Sequence, residues 1–309
     1  MISAALRAAA ELLGPLAHHD VPLGPLTTYK VGGAARLFVR GEDMETLQRV
    51  GEAVKASRVP VLVVGRGSNM LVADRGYEGL ALTFSDAFAE IEIEIEGTDV
   101  HAGGFTLLPV LARRTAAAGL SGLEWAVGVP GSVGGGVRMN AGGHGSDVAA
   151  TLVDVQLFDL AEGRLRVEPA TGLGLRFRGS DLGEHDVVVR AHFALARGAR
   201  EDSERELAEI VRWRRENQPG GQNAGSVFVN PIPGELAAGQ LVDELGLRGF
   251  RIGSAHVSEK HANFIQAAEG GSADDVRAVI EAVRQRVHRE RGILLRSEIR
   301  LVGFPEEGR

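Results

Sequence analysis

The residues best suited to chemistry in this chain are those with almost no side chain. Gly128 to Gly145 reads GVPGSVGGGVRMNAGGHG, with eight glycines in eighteen residues and only three valines and Met139 as bulky apolar groups. Such a run has too little side chain to bury a face, so its backbone is what it offers. Glycine permits positive φ and close approach of a ligand, and successive exposed amides form concave sites that suit phosphate. A second glycine turn, Gly65-Arg66-Gly67-Ser68-Asn69-Met70, follows the apolar run Val59–Val64. Its strand-then-glycine pattern invites a dinucleotide reading, but G-x-G-x-x-G fails because Met70 stands where the third glycine belongs. A Rossmann domain is therefore disfavoured, and no Walker-type lysine follows either loop. The plain alternative for the longer run is a flexible linker. Trp125, Val129, Pro130 and Met139 are anchors that a Gly/Ser linker would lack. Two phosphate-type loops in one domain suit an extended diphosphate ligand better than a mononucleotide.

The remaining candidates are weak one by one. Glu298 sits between Arg296 and Arg300 on one face of a C-terminal strand, which by spacing reads as a solvated ion-pair ladder. Ser226 alone says nothing, and Arg178 in Phe177-Arg178-Gly179-Ser180 is by residue type a surface arginine. There is no G-x-S-x-G elbow. His256 and His261 come without H-E-x-x-H or a thiolate pair, which excludes a recognisable zinc motif. Cysteine is absent, so disulfides, thiol nucleophiles and thiolate metal sites are ruled out and a reducing cytoplasm is compatible. Among 34 basic residues only Lys30, Lys55 and Lys260 are lysines; each either serves as a compact point charge or survives by chance.

The elements that must position these groups follow from periodicity. At 309 residues the chain is expected to form about two domains. Its net charge of −7 argues against a nucleic-acid surface. No apolar run reaches the ~18 residues of a membrane span, and MISAALRAAAELLGPL reads as an amphipathic helix rather than a signal peptide. A soluble cytoplasmic protein is expected. The pattern predicts strands at Ala35–Val39, Val59–Val64, Glu90–Glu96, Val153–Leu160, Leu165–Val167 and Val187–Leu195, with helices over Glu42–Ser57 and Thr106–Ala118. Ser203 with Glu206 reads as a capping box opening a new helix, and Arg197–Glu206 as the domain boundary. Beyond it, Ala224–Asn230 reads as a strand with Ser226, Phe228 and Asn230 on one face. Ser272–Arg291 reads as a helix and Gly292–Val302 as the last strand.

Taken together and in order, TYKVGG, VGRGSNMLVAD, GVPGSVGG with MNAGGHG, FRGS, AGSVFVNP, SEKHANFI and SEIRLVG resemble the UDP-N-acetylenolpyruvoylglucosamine reductase family from about residue 27 to 303. The resemblance implies an α+β fold: a flavin domain of the PCMH or vanillyl-alcohol-oxidase type over 31–197, in two α+β subdomains split near 80–85. A C-terminal α+β substrate domain over 203–303 follows. It implies non-covalent FAD held by Gly65, Arg66, Gly67, Ser68, Asn69, Met70, Val129, Pro130, Gly131, Ser132, Val133, Gly134, Gly135, Asn140, Ala141 and Gly142. NADPH is the implied co-substrate and an enolpyruvyl UDP-sugar the implied partner, with no nucleic acid, no membrane and a monomeric protein. N5 of the reduced flavin would pass hydride to C3 of the enolpyruvyl group. Ser226 would then protonate C2, Arg178 would neutralise the carboxylate, and Glu298 would share in stabilising the enol. Asn230, Lys260 and His261 match positions near the substrate.

The chain departs from the family pattern at Phe177 (commonly Tyr), Asn217 (expected Lys) and Val229 (usually Lys, Arg or Gln). Arg212, Arg214 and Arg215 are candidates to replace the missing charge. The chain resembles the shorter family type, which lacks a tyrosine-bearing loop over the substrate. The competing readings are a flavin oxidase or dehydrogenase of an alcohol or hydroxy acid on the same fold, and a non-catalytic nucleotide-sugar-binding module.

Overall fold

The computed structural model describes residues 3–94, 96–232 and 234–305. The chain forms two compact units, each discontinuous in sequence. The first gathers residues up to His19, Leu37–Arg66 and Gly79–Arg214; the second gathers Asp20–Arg36, Gly67–Glu78 and the residues from Arg215 onward.

Helix α1 (Ala4–Leu13) starts where Ser3 Oγ accepts the Leu6 N–H, buries Leu6, Ala9 and Leu13, and ends at Gly14. Helix α2 (Met44–Ser57) starts two residues later than its periodicity suggests, because the Asp43 carboxylate caps Thr46 N–H at 2.7 Å. A four-stranded sheet has the order His18–Pro22, Ala34–Gly41, Tyr77–Phe84, Val61–Val63, with Val61–Val63 parallel to Leu80–Leu82. A five-stranded antiparallel sheet has the order Arg164–Pro169, Leu152–Asp159, Asp186–Ala194, Asp99–Gly103, Ile91–Ile93. One face of this sheet (Val155, Leu157, Ala191, Phe193, Val100, Ala102) joins helix α3 (Leu108–Ala117), Trp125, and Leu207 and Ile210 of helix α5 (Arg200–Asn217) in a buried cluster. A separate cluster holds α1, α2 and the first sheet. The architecture is α+β.

The strand expected over Glu90–Glu96 is confined to Ile91–Ile93. Glu94 N–H already bonds Asp99 C=O, so the connection back to Asp99–Gly103 begins there; Ile95 lies outside the described residues. The capping box at Ser203 does not form. Helix α5 begins three residues earlier, and Ser203 is buried inside it, its Oγ donating to Glu124 Oε1 at 2.6 Å. Glu124 also accepts the Gly122 N–H, so this pair ties α5 to the segment before the glycine run. Glu206 instead carries a carboxyl pKa raised by desolvation, then by Glu124 and Glu209.

The glycine run itself departs from expectation. Helix α4 (Val133–Met139), capped by Ser132, occupies its middle and buries Val133 and Val137. Its glycines allow close packing: a Cβ on Gly134 would lie 3.0 Å from Gly104 C=O, and one on Gly136 would lie 3.1 Å from Leu108.

In the second unit, helix α6 (Ala238–Glu244) and helix α7 (Ala273–Arg291) pack with a three-stranded antiparallel sheet, Arg251–Ile252, Ala255–Val257, Ile265–Ala267. Helix α7 buries Val276, Val279, Ile280, Val283 and Val287 at helical spacing between a Ser272 cap and Gly292. Two expected strands are cut short. Gly292–Val302 is regular only over Arg300–Val302, parallel to Met70–Val72. The residues before it pair elsewhere, Val229 N–H with Arg296 C=O and Glu298 N–H with Val227 C=O. Ala224–Asn230 is not a regular strand, because Gly225 adopts φ +78° and Val227 and Phe228 are both buried. The alternation that put Ser226, Phe228 and Asn230 on one face is therefore absent.

Candidate active site

In the first unit, Gly65 lies against the cap of α4: a Cβ there would meet Ser132 Oγ at 2.6 Å. The N–H groups of Gly65, Arg66, Gly131 and Ser132 donate to no other group among the described residues. Those of Val129, Val133 and Gly134 are taken by Ala126, Thr106 and Gly104 carbonyls, and Gly135 N–H by Ser132 Oγ. Pro130 has none to give. Arg66 lies over the Phe105 ring, 5.4 Å from its centroid.

Arg178 occupies a tight turn in which Arg176 and Gly179 exchange both backbone hydrogen bonds. Its φ of +56° is a left-handed conformation that costs an ordinary L-residue about 1–2 kcal/mol. The residues after α4 hold this turn. Asn140 Nδ2 donates to Arg176 C=O at 3.3 Å, Ser180 Oγ to Arg138 C=O at 2.8 Å, and Arg178 Nη2 to Gly142 C=O at 3.0 Å. Asn140 also bonds Asp147 and Ala149, and the Arg138 guanidinium donates to the carbonyls of Leu182, Gly183 and Asp186. The side chain of Asn140 and the N–H of Ala141 are thus engaged within the protein. Phe177, where the family commonly has Tyr, keeps its ring 4.8 Å from the Arg178 guanidinium.

The second unit carries its own candidate residues. Gly67 adopts φ +60°, and a Cβ there would strike Leu26 C=O at 2.2 Å. Thr28 N–H bonds Gly67 C=O, while the Thr28 and Tyr29 hydroxyls are buried without a hydrogen-bond partner. Burial pushes the Tyr29 phenol pKa well up. Asn69 Nδ2 donates to Glu298 C=O at 3.0 Å, and Asn69 C=O accepts from Arg300 N–H, so the glycine loop is stitched to the segment bearing Glu298. That segment also flanks Ser226 through the Glu298–Val227 bond. Ser226 is half-buried, and its hydroxyl has no partner among the described residues.

Asn230 Oδ1 accepts Ala238 N–H at 3.0 Å, at the start of α6. Lys260 Nζ donates to Arg215 C=O near the end of α5, where a cation is favourable. Lys30 and Lys55 likewise bond carbonyls, of Pro25 and Glu162. His261 Nδ1 accepts Asn263 N–H at 3.2 Å, which leaves the hydrogen on Nε2. Its pKa is lowered, by desolvation first and then by Arg248, so the ring is held neutral.

Two features escaped the sequence reading. His144 meets Trp213 edge-on at 5.2 Å, beside Arg214, whose guanidinium pKa is lowered by burial. Asn263 is buried and bonds both backbone groups of Phe228. Asn263 lay inside the SEKHANFI motif, but nothing in residue type alone distinguishes a buried asparagine from an exposed one.

A flavin dinucleotide fits these loops on two structural grounds. Gly65 and Gly67 are places where a Cβ would collide, and the amides of Gly65, Arg66, Gly131 and Ser132 are left without a partner among the described residues. Residues 35–167 match a family profile described as an FAD binding domain, and 217–302 match the C-terminal domain of UDP-N-acetylenolpyruvoylglucosamine reductase. A reductase of that name from Heliobacterium modesticaldum is 44% identical over 91% of this chain and 89% of its own length. One from Rubrobacter xylanophilus is 38% identical over 96% and 98%. The crystal structure of the Thermus caldophilus reductase superposes with a TM-score of 0.80 at 36% identity, covering 93% of this chain and 98% of that one. The flavin domain is of the PCMH type, and the fold expected from the motifs is the one found. With both profiles in chain order and relatives matched almost end to end, the chain belongs to the UDP-N-acetylenolpyruvoylglucosamine reductase family.

Proposed function

We propose that Ser226, Arg178 and Glu298 carry the proton and charge chemistry of this enzyme. The chain is an FAD-dependent oxidoreductase that uses NADPH to reduce the enolpyruvyl ether of UDP-N-acetylglucosamine to UDP-N-acetylmuramate, a peptidoglycan precursor. When bound, FAD reduced by NADPH would supply a hydride to C3 of the enolpyruvyl group. The electron pair of the broken C2–C3 π bond then rests on C2 and the adjoining carboxylate until C2 takes a proton.

Ser226 Oγ–H gives that proton. A hydroxyl is a weak acid, so the transfer needs the developing charge stabilised beforehand. The Arg178 guanidinium fork suits the substrate carboxylate, and a preorganised charge of this kind is usually the largest catalytic term. Its strained turn, gripped by Asn140, Ser180 and Gly142, keeps the fork in place without cost at the moment of reaction. Glu298 shares in stabilising the enol. Gly65–Met70, Val129–Gly135 and Asn140–Gly142 seat the cofactor, the amides of Gly65, Arg66, Gly131 and Ser132 being its donors. Neutral His261 offers Nε2–H, Lys260 two further ammonium hydrogens and Asn230 its Nδ2–H to the sugar or diphosphate. The domains follow 31–197 and 203–303, and the protein acts as a cytoplasmic monomer. Among the described residues no helix is long and apolar enough to cross a membrane.

One observation supports this reading: the Glu298 N–H bonds the C=O of Val227, the residue after Ser226. The test is anaerobic. Ser226→Ala should bleach with NADPH at the parent rate yet fail to recover its yellow colour with the enolpyruvyl sugar nucleotide. Recovery at the parent rate would remove Ser226 as the donor.

A further inference from the structure

The segment bearing Ser226 lacks the strand that its sequence suggests, and one side chain stands in for the missing ladder. Asn263 is 4% exposed. Its Oδ1 accepts the Phe228 N–H at 2.9 Å and its Nδ2 donates to the Phe228 C=O at 2.8 Å, so one amide satisfies both polar groups of one backbone residue. Its own C=O accepts Val227 N–H at 2.8 Å, and its own N–H is anchored on His261 Nδ1. On the opposite flank, Val227 C=O and Val229 N–H bond Glu298 and Arg296. Ser226 comes immediately after Gly225, whose positive φ breaks any extended register. The backbone that aims its hydroxyl is therefore fixed from the far side, through residues 227 and 228.

We propose that Asn263 is a positioning residue for the proton transfer: by clamping Phe228 it sets where the Ser226 hydroxyl points. The inference rests on the reading of Ser226 as proton donor. The donor–acceptor pattern of the amide is what matters. Alanine would leave the Phe228 N–H and C=O buried and unpaired. Aspartate, of nearly the same shape, would keep the acceptor but set a second oxygen against the Phe228 carbonyl.

The test uses the full-length holoenzyme with Asn263→Ala, Asn263→Asp and Ser226→Ala. Bleaching by NADPH and recovery by the enolpyruvyl substrate are followed separately, the latter in H₂O and D₂O. Both Asn263 variants should keep their FAD and bleach within about twofold of the parent. Recovery should slow by on the order of 10²-fold, as for a small misplacement of a reacting group. Its solvent isotope effect should rise as proton transfer becomes limiting. If the two half-reactions fall together with FAD loss, Asn263 is merely structural; if recovery is unchanged while Ser226→Ala is inactive, the inference fails alone. Parent-rate recovery in Ser226→Ala would instead overturn the donor reading itself. Should Asn263→Ala not fold, Asn263→Asp gives the same decision.

Discussion

The turn carrying Arg178 in the first unit and the segment carrying Ser226 in the second solve one problem in two ways. Neither of these proposed catalytic residues sits on a helix or a regular strand. Arg178 occupies a two-residue turn at φ +56°, held by bonds from Asn140, Ser180 and its own guanidinium. Ser226 precedes an irregular extended stretch gripped on one side by Asn263 and on the other by Arg296 and Glu298. In each case a buried asparagine supplies hydrogen bonds that secondary structure does not. Strain is present in the first and absent in the second, where only glycine takes the positive φ. Loops are commonly the less exact place for a catalytic group; here buried side-chain amides bond the backbone that a helix or strand would otherwise satisfy.

The largest effects should come from the two proposed charge stabilisers. Arg178→Ala and Glu298→Gln should each lower turnover by on the order of 10²–10³ in steady-state assays, with the reduction of FAD by NADPH little changed. Arg178→Lys tests whether the fork or the charge matters. A lysine lacks bidentate geometry, so turnover should recover only in small part; full recovery would mean that the turn merely delivers a charge.

Next comes the cofactor seat. Gly65→Ala should displace Ser132 and weaken FAD binding, which the flavin-to-protein absorbance ratio after gel filtration would show. An unchanged ratio would detach that turn from the flavin. Asn140→Ala sharpens the comparison of the two asparagines. It should cost about 1–3 kcal/mol of stability by leaving buried groups unpaired, and lower turnover through Arg178, as read from Tm and kcat together.

The smallest effect concerns histidine, and its sign differs between the units. In the first, cross-strand register aligns Asp154, His192, His101 and Glu92 in a row. Desolvation works against His192 protonation, but its bonds to Asp99 and Asp154 win and raise its pKa. Its stacked neighbour His101 is lowered by desolvation, then by His192 and Arg190. The stabilisation from His192 is therefore complete below about pH 6.5 and lost as pH rises through the raised value. The Tm deficit of His192→Asn should shrink from pH 6 toward about pH 9. His261 has a lowered pKa, so its contribution is complete above about pH 6.5 and lost as pH falls through the lowered value. The deficit of His261→Asn should shrink toward acid. Parallel trends in the two variants would break the contrast.

Local pattern was legible where one element serves one partner. Helix α7 announced itself through five valines and isoleucines at helical spacing, a serine cap and a terminal glycine. Four strands of the five-stranded sheet were visible in alternation or apolar runs, but Asp99–Gly103, with its Asp, His and Gly, was not; the motif order identified the family. Legibility failed where one stretch serves two partners or where burial reverses a local rule. Residues 296–302 pair first with 227–229 and then with Met70–Val72, so their even alternation conceals a break. Ser203 carries a capping pattern but is drawn into α5 by buried Glu124.

The sequence alone determined the long helices and most strands of the first unit, the glycine-rich stretches, the absence of thiol chemistry and, by motif order, the family and its cofactor. These depend on spacing and composition, which are properties of neighbouring residues. Only the tertiary structure decided that α4 lies within the glycine run, that Arg178 is held in a strained turn by the residues after that helix, and that Asn263 completes the Ser226 segment. Those facts depend on which distant backbone groups are left to be satisfied once the chain is packed.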